Sequence, residues 1–283
     1  MVRTSAFLLL VLFAPCGRCA EPDARDPAFK AWLQHYSSAA ALEDFRLSSA
    51  PNERLEMTPD PVLSYSHPSG LKGTHGAFYV WTKKGRPQVI GSIWSFEKPN
   101  GRRGVNHELH SLATEPLAPT MIGTSRWSPQ TGIEPRHIPD APEPANTSRL
   151  RLAQMRALAK RFQGFSNTVE NQEGRLRTLP QPLYRSEPVD PEVLDCGLFG
   201  LFADWDPEIL LLIEARRTDS GYRWHFSAGR FNACRMRMTF DDVEVWKKDE
   251  EPQAYPTFGD PEGLFFAVHD VEVIDAPPSK PFP

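Results

Sequence analysis

The sequence predicts an α+β fold, mainly antiparallel sheet, made of a hairpin and a C-terminal meander and packed by one or two helices. Three observations predict it. Residues 76–96 carry aromatic and β-branched residues on two arms, AFYVWT and QVIGSIW, joined by a KKGRP turn. Between 197 and 246, four short apolar runs follow one another with connections of hairpin length, DWDP and RRTDSG among them. The segment RLRLAQMRALAKRF spaces Leu152, Met155, Leu158 and Phe162 three or four apart, which is the period of one helix face.

Taken in order, the chain opens on MVRTSAFLLLVLFAPCGRCA. Arg3 precedes an apolar run over 6–14, too short to span a bilayer and right for the core of a secretory leader. Residues 1–20 are therefore expected to be a signal peptide, cut on either side of Ala20, and the mature chain to be secreted or periplasmic. No later stretch is long and apolar enough for a transmembrane helix. Cys16 follows Pro15 and Cys19 follows Arg18, so neither has the small preceding residue that lipid attachment requires. Losing Arg3 and Arg18 leaves 30 basic against 36 acidic residues, a net charge of −6, which disfavours nucleic acid as a partner.

Residues 21–55 form an N-terminal helical segment, with Phe29, Trp32, Leu33, Tyr36, Ala40 and Phe45 at helical spacing over 26–47 and Pro27 suited to a first turn. A single α+β domain is expected over 56–246. It begins with an alternating strand at 62–66, continues through the 76–96 hairpin and includes a strand at 105–113. Seven prolines between 116 and 144 exclude a helix and any central strand, so 116–147 is a surface connector that Trp127 and Ile133 pin down. The helix at 149–162 closes at Gly164. Residues 176–184 are extended, and the meander takes 197–203, 208–215, 222–229 and 235–246. Residues 247–283 form an irregular C-terminal extension, in which LFFAVHDVEV is one further strand and PPSKPFP a disordered tail. No internal repeat is visible.

The candidate chemistry is sparse. His107-Glu108-Leu109-His110 falls short of the zinc-protease pattern, whose histidines stand four apart on a helix. On a strand, Glu108 and His110 share a face while His107 points away, and a metal would draw its third ligand from His67, His75 or His225. His225-Phe226-Ser227-Ala228-Gly229 resembles a G-x-S-x-G nucleophile turn without its first glycine, but lies inside a predicted strand. Asp204, Asp206 and Glu208 alternate around a turn, three acids without the glycine of a calcium loop. Arg149, Arg156 and Lys160 line one helix face, suited to an anionic surface or simply to solvent. A row of exposed tryptophans would stack on sugars, whereas Trp81 and Trp94, on paired arms, suit a core. Cys196 and Cys234 are a possible disulfide or two free thiols. No phosphate-binding glycine loop appears, and no cofactor is favoured.

The segments GAFYVWTKKGRPQVIGSIW, NHELHSLAT, RLRLAQMRALAKRF, LRTLPQPLYR and LFGLFADWDPEILLLIEAR, spanning 55–246, resemble a family of uncharacterised exported proteins of planctomycete bacteria. The resemblance implies an envelope or secreted setting and no activity, cofactor or site residue. With no catalytic motif complete, the sequence favours a non-enzymatic binding or cell-envelope interaction domain, with an envelope polymer or protein as partner. The alternative is a metal-dependent hydrolase built on Glu108, His110 and His225.

Overall fold

A computed structural model describes residues 27–67, 73–169 and 172–275. The leader at 1–20 and the PPSKPFP tail lie outside the described residues. The helices are α1 (Pro27–Leu42) and α2 (Ser148–Ala159). The longer strands are β1 (Leu63–His67), β2 (Thr74–Lys83), β3 (Arg86–Glu97), β4 (Arg103–Ser111), β5 (Phe162–Val169), β6 (Val193–Phe202), β7 (Pro207–Thr218), β8 (Gly221–Arg230), β9 (Met236–Phe240), β10 (Val243–Lys248) and β11 (Phe265–Ile274). The fold is α+β with antiparallel sheets, and none of the described helices is long and apolar enough to cross a membrane.

Sheet one runs β2-β3-β4-β11 at its centre, with β1 on the free edge of β2. Sheet two runs β6-β7-β8, with the short strand Arg136–His137 beyond β8. The two sheets pack face to face. Alternation assigns the faces. Phe78 and Val80 of β2 and Ile90 of β3 meet Leu198 of β6 and Leu210 and Leu212 of β7 in one core. The opposite residues of β2 and β3, Ala77, Tyr79, Trp81, Val89 and Ile93, pack with Trp32, Tyr36 and Ala40 of α1. On the far side of sheet two, Phe199, Leu201, Ile209 and Leu211 pack with Met155 and Leu158 of α2. A smaller sheet of β5, β9 and β10 covers the rest of that face. The order of layers is helix, sheet, sheet, then helix with small sheet. Each half has a helix over the outer face of three strands that are consecutive in the sheet, β2-β3-β4 under α1 and β6-β7-β8 under α2, with β1 and β5 intervening in the chain.

Local chemistry explains where the elements differ from expectation. Helix α2 starts where Thr147 accepts a hydrogen bond from the Leu150 N–H, a side-chain N-cap. It stops at Ala159, and Gly164, expected as its stop, lies inside β5. A Cβ there would sit 2.6 Å from Leu201 Cδ2, so glycine is needed for the close approach of β5 to sheet two. The run 235–246 is two strands. Asp241 and Asp242 both have positive φ, 45° and 66°, the conformation of a tight hairpin turn. The resulting β9 pairs with β5 and leaves the main sheet. The C-terminal stretch is less irregular than expected, since β11 pairs along β4 and buries Phe265, Phe266, Ala267 and Val268. The connector runs extended as its prolines dictate, with Trp127 and Ile133 buried and Trp127 Nε1 donating to Gly263 O at 3.0 Å.

Two buried ion pairs join the layers. Arg86, at the start of β3, reaches across to Glu214 of β7, with Nε–Oε1 at 2.7 Å and Nη2–Oε2 at 3.2 Å; its Nη1 donates to Leu112 O. Arg151 of α2 holds Asp195 of β6 at 2.8 Å, and Arg185 binds the same carboxylate at 2.7 Å. Arg86 and Glu214 are about 5% and 1% exposed, so breaking the pair leaves a charge stranded in the core. Glu214→Ala is expected to lower unfolding free energy by about 3–5 kcal/mol in urea denaturation. The double variant Arg86→Met/Glu214→Leu is expected to regain most of that loss, because no lone charge remains.

Candidate functional site

Alternation along β4 turns Val105, His107 and Leu109 toward α1 and Asn106, Glu108 and His110 toward sheet two. His107 is therefore taken up structurally, its Nδ1 2.6 Å from Glu43 Oε1 just past the end of α1. Along β8, Trp224 and Phe226 join the α2-side core, leaving Ser227 and Gly229 on the face toward sheet one. The two sequence motifs meet here. The His110 imidazole lies over Gly229, where a Cβ would come within 2.6–3.0 Å of three ring atoms. Any other residue at 229 would displace the ring. Ser227 is two residues away on the same face, roughly 6–7 Å along the strand.

His110 and Ser227 form the floor of a cleft of about 790 Å³. Its walls come from the connector near Glu134, from β10 at Trp246 and Lys248, and from the loop leading into β11 at Gly263. Both floor residues are 3% exposed, and neither His110 Nδ1 nor Ser227 Oγ has a hydrogen-bond partner. Burial, together with the positive charges of Arg230 and Lys248, pushes the His110 pKa down to about 3, so the ring is neutral at ordinary pH. Arg230 itself is used up. It pairs with Glu251 at 2.7 Å and donates to the carbonyls of Asn232, Asp249 and Cys234.

Glu108 belongs to a different neighbourhood. Burial, and then the negative charge of Asp206, raise its pKa to about 8. Glu208 is also held well above the usual carboxylate range by burial and by Asp206 and Glu108, and its buried Oε2 has no partner. Asp206 and Glu208 thus face Glu108 across the sheets while Asp204 stays exposed.

The donor set Glu108, His110 and His225 does not converge. His225 lies four residues from Gly229 on β8, about 13 Å along a strand, where its Nδ1 meets Arg223 O and its ring packs edge-on against His137. His75 is bonded to Tyr36 beneath α1, and the side chain of His67 lies outside the described residues. Among the described residues, no group of three or more His, Cys, Asp or Glu side chains is placed to hold a metal ion.

Cys196 and Cys234 are both free thiols, the first buried and the second half-buried. Cys196 lies in β6, opposite Glu214 of β7, which in turn faces His225 of β8. Cys234 lies nine residues further on, in the turn before β9. Of the basic helix residues, Arg156 donates to Pro180 O and Arg151 is committed to Asp195. The sequence marked Gly229 only as the last residue of HFSAG and not as a place of close approach, and it did not single out the cleft walls.

In comparisons with known proteins the chain matches no family model, no curated protein and no solved structure.

His110 and Glu108 act on stability with opposite sign, over pH windows that overlap between 4.5 and 6.5. For His110, the folded value of about 3 lies below the unfolded value near 6.5, so the unfolded chain binds the extra proton between them and stability falls as pH drops through that window. For Glu108, the folded value of about 8 lies above the ordinary carboxylate value of 4.5, so stability falls as pH rises from 4.5 to 8. His110→Gln is expected to flatten the acid side of a melting-temperature profile, and Glu108→Gln the neutral-to-alkaline side.

Proposed function

We propose that the protein is an exported, non-enzymatic binding protein that holds a component of the cell envelope in the cleft between its central sheets. The observation that carries the reading is the pair of unpartnered polar atoms, His110 Nδ1 and Ser227 Oγ, at the floor of that cleft. An unmade buried hydrogen bond costs about 1–3 kcal/mol. Both residues line the cleft, and a polar ligand group that reaches these atoms relieves that cost. The setting is supported by the leader-like start and by the resemblance to exported planctomycete proteins.

An acyl-transfer reading of the same two residues is weaker on chemistry. A serine nucleophile needs a base hydrogen-bonded to it and a pKa near the working pH. His110 and Ser227 make no hydrogen bond, and a histidine with a pKa of about 3 is a poor base at neutrality. Hydrogen bonding is what this imidazole retains.

The test is cosedimentation of the purified mature protein with insoluble bacterial envelope material. Wild type is expected in the pellet, and Gly229→Ala, which displaces the His110 ring, is expected to bind at least tenfold more weakly while still melting cooperatively. Equal binding by the variant sinks the cleft assignment. The export half is checked by the mass of protein recovered outside the cytoplasm. A chain beginning at Ala20 or Glu21 supports it, and a full-length cytoplasmic chain contradicts it.

A further inference from the structure

The charges around the cleft cancel locally. Arg230 is paired with Glu251 at 2.7 Å. Arg136 lies 3.7 Å from Glu134 and donates to Val245 O, and Lys247 lies 4.0 Å from Glu244. The two charged lining residues outside these pairs are Lys248 and Asp260, one of each sign. An anionic polymer is normally met by unpaired Arg and Lys, and a cationic one by unpaired carboxylates. This cleft offers neither in excess.

Its floor has the opposite character. The neutral His110 imidazole carries one donor and one acceptor nitrogen, and the Ser227 hydroxyl both donates and accepts. Groups of this kind are satisfied by hydroxyls, which also do both. The wall adds Trp246, half-buried on β10, which packs against the α2-side core and gives the lining an aromatic, largely apolar member. A sugar ring presents that combination, with hydroxyls around its rim and C–H bonds on its face. The volume of about 790 Å³ falls within the range of clefts that enclose a ligand larger than a single ring.

We infer that the ligand of this cleft is a neutral oligosaccharide segment, hydrogen-bonded to His110 and Ser227 and in apolar contact with the lining at Trp246. The inference rests on the binding reading above and names the ligand class of the same cleft. Binding of this kind depends little on salt, because no ion pair is formed with the ligand.

The experiment is isothermal titration of the mature protein with cellohexaose, xylohexaose and maltohexaose, and separately with polygalacturonate and chitosan hexamer, in 50 and 500 mM NaCl. At least one neutral hexasaccharide is expected to bind with a Kd that changes less than about twofold between the two salt concentrations. Ser227→Ala and Trp246→Ala are each expected to weaken it tenfold or more, while His225→Ala, outside the cleft, leaves it unchanged. Thermal melts of each variant separate loss of binding from loss of fold. If no neutral hexasaccharide binds, the inference is overturned. If only a charged probe binds, with strong salt dependence, and Ser227→Ala weakens it, the inference fails and the cleft reading stands. If a probe binds but neither Ser227→Ala nor Trp246→Ala affects it, both fail.

Discussion

Both central sheets are buried on both faces, and that constraint organises the molecule. A sheet with one wet face places its polar residues outward and needs nothing more. Here β3, β4, β6 and β7 have no wet face, so each inward polar group must find a partner inside the protein or remain unsatisfied. The helices α1 and α2 close the outer faces of the two sandwiched sheets, and the small sheet of β5, β9 and β10 completes the cover over sheet two.

Most polar intrusions meet the constraint with dedicated partners. Glu214 takes Arg86 from the opposite sheet and Arg216 from its own strand. Asp195 takes Arg151 from the helix above and Arg185 from the neighbouring short strand. Such pairs repay little net stability against a well-packed apolar core, but they penalise any register in which the partners miss each other. Arg86–Glu214 fixes which residues of sheet one lie over which residues of sheet two, and Asp195 fixes α2 over sheet two. The placement of His110 over Gly229 follows from that alignment, so the pair at Arg86 and Glu214 bears on the cleft although it is not part of it.

The fold was legible where local chemistry decided it. The KKGRP hairpin, the helix at 149–162, the proline connector and the strands at 197–229 all rest on periodicity or turn residues, and these express themselves within a dozen residues. Parity alone put Glu108 and His110 on one face and His107 on the other. What escaped was the pairing over long distance. Nothing near Phe265 says that β11 lies beside β4, and the Asp241-Asp242 turn reads as part of a strand until its backbone is known. The likeness of the two halves, a helix over three antiparallel strands, lies in their packing, and the two share no visible sequence signature.

The site was half legible for the same reason. HELH and HFSAG were each marked in the sequence for a chemistry that neither performs alone. A metal reading needed one of His67, His75 or His225 beside Glu108 and His110, and a nucleophile reading needed a strand-to-helix turn at Ser227. The third strand of each half, β4 and β8, instead brings the two segments together across the sandwich. Gly229 supplies the missing logic. In a strand interior a glycine gives up packing and β-propensity, and it is expected where another group must approach the backbone closely. Here that group is the imidazole of His110, and the space it occupies exists only because residue 229 has no side chain. The contact stands His110 beside Ser227 with neither atom satisfied by the protein. Elsewhere in the double-buried sandwich, inward ionic groups such as Arg86 and Asp195 have their partners within the chain. The unmet pair at the floor of an open cleft is where the partner is expected from outside.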